Sequence, residues 1–515
     1  MKAKTYHEWF LQKQEKLEAE LAAQGEGPGA DLSVEVIRYS HLKNYILSGE
    51  SKPDILVACD DDGELSGCAL RLIRDYFATH PRVNMLYGDE DLVTEGIHLS
   101  PWFKADWSPD TFLSTFYFGS IFALRTTALG LINPGRRTAK EFEPESRILE
   151  DEAEEREAKW TEPDIALRSW IYGKLCLKVA QADGGFSRRR GEAMPVGHIS
   201  EVLFHASKKP EAWDADLIRD SLTGRYNRES AHSRVISIII PSKDNPALLE
   251  RCVHSVMEYV RVPYELIIVD NGSSAPNRSR TQALVDEVNA GDMSAVYLYK
   301  EMPFNMARMN NMGAAAANGE MLLFLHDDVV VQKLGWLSHL SEKAKLPYVG
   351  AVGMKLLYPN SNVIQHAGIM SVADGPVYKL QYRTNDEVWH FGFNKGVRNV
   401  LAVSGACIMV RREVFGEVGG FDEKNFPDCF TNVDFCYRVF EKGYYNVVRN
   451  NMYLYYYDPV SSENLQTLEQ REKNRPVELE KLRSLHPMLA GTDPFYHKYL
   501  TQDTGETRFL PSLEL

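Results

Sequence analysis

The sequence predicts an α/β protein whose second half is built on a parallel sheet, and three observations carry that reading. Short apolar runs, VISIII at Val235 to Ile240, ELIIVD ending at Asp270 and MLLFL at Met321 to Leu325, suit strands buried on both faces. Stretches of helical periodicity separate them, such as Leu248, Leu249, Cys252, Val253, Val256 and Met257. The chain of 515 residues, 44% hydrophobic and 25% charged, has the composition of a globular protein and exceeds one ordinary core.

In order, residues 1–30 predict an amphipathic helix, with Tyr6, Trp9, Phe10, Leu17 and Leu21 among charges, ended by the Gly-rich GEGPGA. Such a helix packs on the body or lies on a membrane surface. A first domain covers 31–210, with a solvated acidic stretch from Glu141 to Glu157. A polar connection follows over 211–234, then the main α/β domain over 235–480 and a tail over 481–515. Within the main domain, the strand AVYLY and a helix from Met306 to Ala317 continue the alternation. A parallel α/β sheet binds ligands outside the carboxyl ends of its strands. Asp270 and the run His326, Asp327 and Asp328 fall at such ends.

The net charge of −14 argues against a nucleic-acid partner, which needs a concentrated basic surface. The apolar runs are far short of the roughly 20 residues of a membrane span. The start MKAKTYHEWF lacks the features of a secretion signal. Seven cysteines without a CxxC pair read as reduced thiols. Together these features lead us to expect a cytoplasmic protein.

The runs VISIIIPSKDNPALLERCVHSV, YELIIVDNGSS, PFNMARMNNMGAAAANGEMLLFLHDDVVV, IQHAGI, SGACIMVRREVFGEVGGFDE and NVDFCYRVFEKGY resemble, in this order, the signatures of family 2 glycosyltransferases. Within them the chain is similar to two-domain bacterial enzymes of O-antigen and rhamnan-type surface polysaccharides, whose tail is echoed in DPFYHKYL. The resemblance implies a GT-A (Rossmann-like) nucleotide-sugar-binding domain and an inverting hexosyl transfer. The implied donor is a UDP- or dTDP-sugar, and the acceptor a glycan or lipid-linked glycan. The setting is the inner face of the membrane, with room for peripheral attachment.

Transfer from a nucleotide sugar expels a diphosphate, and a divalent cation, Mn or Mg, held by carboxylates stabilises that charge. The resemblance makes Asp328 the metal ligand and puts Asp327 beside it. Asp270 reads as a nucleotide contact or as the first residue of an Asp-Asn-Gly-Ser turn. Pro241, Lys243 and Asp244 are its expected neighbours. Asn305, Arg308, Asn310 and Asn311 open a helix whose N-terminus favours phosphate or sugar oxygens, although Arg308 also reads as a surface charge. His366 is either ligand-facing or a core histidine.

Two departures from the family pattern stand out. The resemblance expects a catalytic aspartate at position 432, where this chain has Asn432; a neutral amide is no base. Asp434 and Asp428 are the carboxylates nearby. Where the family has a histidine and then a glutamate, the chain has Tyr456 and Asp458, and Asp458 is the substitute metal ligand. These departures keep open a second reading, a non-catalytic pseudo-glycosyltransferase that binds glycan or an assembly partner. A sugar-nucleotide pyrophosphorylase would show a Gly-rich phosphate loop, and none is evident.

In the first domain, LYGDEDLV, FKADWSPDTFLSTFYFGSIFALRTTAL and VGHISEVLFHA resemble the later part of a second GT-A domain. This implies a truncated, degenerate module. Asp60, Asp61, Asp62, Asp89 and Asp91 are carboxylates able to bind a metal, but without the strands of a nucleotide pocket before them they read as relics or solvated turns. The aromatic residues Trp102, Trp107, Phe112, Phe116, Tyr117 and Phe118 read as core, or as a carbohydrate platform.

Overall fold

A computed structural model describes residues 5–48, 51–132, 161–181, 186–188, 194–214, 235–291, 293–457 and 465–513. The acidic stretch 141–157, most of the 211–234 connection and Asp458 lie outside the described residues. The chain forms two compact units. One is Met1–Arg228 with His497–Thr501 and Leu510–Leu515; the other is Glu229–Tyr496 with Gln502–Phe509.

The first unit opens with helix α1 (Tyr6–Ala23), started by a capping box between Thr5 and Glu8. Its buried residues are Trp9 and Phe10, and the Trp9 ring meets Phe103 at 6.0 Å and Tyr499 at 5.3 Å. The helix thus packs on its own unit. The sheet includes β1 (Val34–Arg38), β2 (Ile55–Cys59), β3 (Met85–Thr94), β4 (Ile121–Arg125) and β5 (Val196–Ala206), in the order β1-β2-β4-β3-β5. Strand β1 precedes the ILVAC run and pairs with it in parallel; its VEVIR sequence is too short and polar to announce itself. Ile55, Val57, Ile73, Phe77, Leu86 and Leu203 form the core beside the sheet. The aromatic cluster is also core: Trp102, Trp107, Phe112, Phe116, Tyr117 and Phe118 are all buried, and Phe112 lies 4.9 Å from Phe118. No ring face in it is left for a sugar.

The second unit contains β6 (Ile236–Ser242), β7 (Tyr264–Asp270), β8 (Ser294–Tyr299), β9 (Met321–Leu325), β10 (Val349–Leu357), β11 (Cys407–Arg411) and β12 (Tyr445–Tyr456). They run in the order β8-β7-β6-β9-β11-β10-β12. The four strands from β8 to β9 are parallel, β11 is antiparallel to β9 and β10, and β12 is parallel to β10. Of these seven strands, all but β11 therefore bring their carboxyl ends to one edge. Every residue of β6, β7 and β9 is buried, as the unbroken apolar runs require.

Helix α2 (Met306–Ala316) crosses this sheet closely at Gly313, where an added Cβ would stand 2.3 Å from Ile239 and 3.2 Å from Val269. We predict that Gly313→Val lowers unfolding free energy by about 1–3 kcal/mol, read by denaturant titration, because the helix has to lift off β6 and β7.

Candidate functional site

The parallel strand ends assemble the residues singled out in the second unit. Register sets Ser242 beside Asp270, and the Ser242 hydroxyl donates to Asp327 Oδ2 at 2.6 Å. A chain of polar groups thus runs across β7, β6 and the turn after β9. Asp270 is 2% exposed; one carboxylate oxygen accepts the Ser273 N–H at 2.8 Å and the other accepts the Tyr297 hydroxyl. The turn and the ligand readings of Asp270 are compatible, since its own loop fixes the carboxylate at a strand end.

Desolvation pushes the Asp327 carboxyl up to about 6, against the hydrogen bond from Ser242. Asp328 is buried, and its carbonyl accepts the Tyr457 N–H at 3.0 Å. His326 lies 3.2 Å from the Tyr456 hydroxyl, and burial followed by the nearby Arg471 charge lowers its imidazole to about 4. Tyr456 therefore meets the histidine of the HDD run itself. The hard oxygen donors of Asp327 and Asp328 suit Mg or Mn.

Around this edge, Asp244 adopts φ of +48° and accepts the Ser274 N–H at 2.7 Å and the Asn277 amide at 2.9 Å. The Ser274 N–H is the main cause holding its carboxyl below the usual range. Pro241 sits inside β6 opposite Val269, and Lys243 is exposed. Asn305 caps α2 by accepting the Arg308 N–H, and its amide donates to the Glu423 carbonyl at 2.8 Å. The Arg308 guanidinium pairs with Glu423 at 2.8 Å, while Asn311 donates to both Glu423 and the Phe421 carbonyl. Asn310 is buried. These side chains bind the helix to the 421–423 loop. His366 is 0% exposed, accepts the Ser404 N–H at 3.2 Å, and lies edge-on to Tyr378 at 5.0 Å.

Helix α3 (Thr431–Glu441) carries the expected base position. The Asn432 amide donates to the Val403 carbonyl at 2.6 Å. Asp434 is 1% exposed, takes two bonds from Arg438 at 2.9 and 2.6 Å, and meets His486 Nε2 at 3.1 Å. Those partners occupy both its oxygens. Asp428 meets Arg471 Nε at 3.1 Å, and burial raises its carboxyl against that charge.

Among the described residues, clusters with three candidate ligands occur only in the first unit: Asp89 with His198 and His497, and Asp91 with His98 and His205, each with donor atoms within 4.8 Å. Asp89 and Asp91 are 0% exposed, so neither is a solvated turn. Asp89 is desolvated, yet its contacts with His497 and His198 hold it well below the carboxylate range. His198, between Asp89 at 3.1 Å and Asp106 at 2.9 Å, is raised to about 9 despite burial. The Tyr499 N–H donates to His497 Nδ1 at 3.1 Å, which leaves the Nε2 proton for Asp89. This donor pattern fits a neutral His497 beside an ion pair of Asp89 with His198. Asp91 accepts the Tyr6 hydroxyl at 3.0 Å and meets His205 at 2.7 Å and His98 at 2.9 Å. His198 and His205 share β5 while His98 and His497 come from elsewhere in the chain, so spacing did not reveal the clusters; the alternation in GDED along β3 was the signal available.

Residues 237–419 match the family described as glycosyl transferase family 2. The O-antigen biosynthesis protein RfbC of Myxococcus xanthus is 33% identical over 386 residues, covering 74% of this chain and 29% of that protein. Uncharacterized protein y4gI of Sinorhizobium fredii is 28% identical over 462 residues, covering 87% of this chain and 48% of that protein. The chain spans less than half the length of these curated relatives. Among solved structures, the mannosyltransferase PcManGT from Pyrobaculum calidifontis, in complex with GDP-Man and Mn2+, aligns over 50% of this chain and 68% of its own, at 14% identity and a TM-score of 0.37. The stretch matching the glycosyl transferase family 2 model thus lies within the second unit and contains Asp270, Asp327 and Asp328. Its relatives include a protein of O-antigen synthesis.

The Asp434–His486 pair has a pH signature. Burial lowers the His486 pKa, but Asp434 and Glu441 outweigh it and bring it to about 9. Because this folded value lies above the unfolded one, the stabilisation is complete below about pH 6.5 and is lost as pH rises through about 9. The stability difference between the parent and His486→Gln should shrink over that window by on the order of 2 kcal/mol, measured by urea unfolding at successive pH values.

Proposed function

We propose that the second unit transfers a hexose from a UDP- or dTDP-sugar to a glycan or lipid-linked glycan acceptor, with inversion. The observation that carries this reading is the convergence of Ser242, Asp270, Asp327 and Asp328 on one sheet edge inside the segment matching family 2. Asp270, braced by Ser273 and Tyr297, is oriented to accept from a nucleoside. Asp327 and Asp328 would hold a divalent cation, which supplies charge neutralisation for the departing diphosphate. Lys243, exposed beside them, adds a positive charge at the same edge.

The acceptor hydroxyl needs a proton acceptor on the face opposite the leaving group. Asn432 is an amide and Asp434 is committed to Arg438 and His486. Asp428 fits best: it precedes α3, and its raised pKa makes it a stronger base than an ordinary carboxylate. A lipid-linked acceptor would bring the protein to the inner face of a membrane; no described helix is long and apolar enough to cross one. The shortened first unit is a degenerate GT-A module in this reading. The second reading, a non-catalytic glycan-binding protein, draws on the Asn432 amide, which is tied to Val403.

Calorimetry separates the two readings. Binding of UDP-, dTDP- or GDP-sugars should require Mn2+ and fall at least tenfold in Asp328→Ala; no donor binding with or without metal defeats the transferase reading. Asp428→Asn should leave donor affinity unchanged and lower turnover by about 10²–10⁴. Full turnover in that variant would remove Asp428 from the base role.

A further inference from the structure

The aromatic platform sought in the first unit has a counterpart in the second. Tyr358 follows β10, and Tyr382 stacks on it with centroids 5.6 Å apart and planes 9° from parallel. Tyr382 is 66% exposed, so the face turned away from Tyr358 is open. Its backbone has φ of +65°, a conformation L residues adopt at a cost and glycine adopts freely. Leu380 shares that conformation at +64° but is 1% exposed, so burial offsets its strain. Tyr382 gains no such burial. A large aromatic side chain that strains the backbone and stays in solvent does nothing for the fold that glycine would not do better.

The segments carrying the two rings are joined. The Tyr382 N–H donates to the Ile364 carbonyl at 2.8 Å, the Ile364 N–H donates to Arg383 at 2.8 Å, and Val363 bridges Thr384. Gln381 donates to the Tyr358 hydroxyl at 3.1 Å. Asn360 and Asp386 are exposed on these same segments, and Asn362 donates to Asp386. An open ring face beside amides and one carboxylate matches a neutral sugar, whose C–H face packs on the π-face while its hydroxyls take the hydrogen bonds. Position also fits. Leu357 lies opposite Tyr455, and Tyr455 opposite Val330, so this end of β10 is two strand spacings, roughly 10 Å, from the segment that follows Asp328.

We propose that Tyr382, backed by Tyr358, is the platform on which the neutral glycan acceptor stacks. This rests on the glycosyltransferase reading above and adds the acceptor subsite to it. The test is saturation-transfer NMR with α-linked mannotriose and rhamnotriose on the full chain, comparing the parent with Tyr382→Phe and Tyr382→Gly. The parent and Tyr382→Phe should saturate the sugar ring C–H protons. Tyr382→Gly should lose at least fivefold of that signal while keeping a melting temperature at or above the parent's, since glycine relieves the backbone. No sugar signal in the parent, or equal signal in Tyr382→Gly, overturns the proposal. So does loss of UDP-sugar binding in Tyr382→Gly, which would make the ring a stack for the donor base. Donor calorimetry on the parent keeps the two claims apart: donor binding without a trisaccharide signal overturns the platform alone, and absence of both overturns the transferase reading with it.

Discussion

Strand β6 and its pairing with β7 and β9 is the constraint on which the second unit depends. Ile236–Ser242 lies between two parallel neighbours with every residue buried, so each side chain is committed to one face. A slip of one residue would reverse that commitment along the whole strand, at a cost the core does not tolerate. The same register brings Ser242 level with Asp270 and within reach of Asp327. Core packing thus fixes where the polar groups stand, and the strand-end turns hold them with their own hydrogen bonds.

Much of this sheet was legible in the sequence because fully buried parallel strands leave continuous apolar runs, and VISIII, ELIIVD and MLLFL each became a strand within a residue or two. The polar residues at the ends of those runs were legible for the same reason. What the sequence hid was long-range. The partner of Arg308 and Asn311 is Glu423, more than a hundred residues on, and the partner of Asp434 is His486 beyond the next helix. In the first unit, GDED looked like turn chemistry, yet β3 pairs on both sides and carries Asp89 and Asp91 into the interior. Four histidines, two of them on β5 and two from other segments, then supply the compensation that a buried carboxylate requires. Local pattern contains no trace of such partners.

Helix α3 shows how one position acquires two meanings. Asn432 keeps the shape of an aspartate while removing its charge, and its amide spends its hydrogen on Val403. The surrounding carboxylates divide by environment: Asp434 is locked by a guanidinium and an imidazole, whereas Asp428 faces one arginine and is destabilised as an anion. Tyr456 beside His326 is a comparable exchange, with the imidazole supplied by the turn and the phenol by β12.

The first unit is closed by residues from the far end of the chain, since His497–Thr501 and Leu510–Leu515 belong to it. During synthesis His198 reaches Asp89 about a hundred residues on, but His497 emerges only after some four hundred, so over that interval the growing chain carries an interior acid with part of its compensation missing. Domains generally fold as units from the N-terminus, yet the first unit here completes its set of contacts only once the residues of the second have been made. A chain cut short before position 497 therefore lacks a piece of its own beginning.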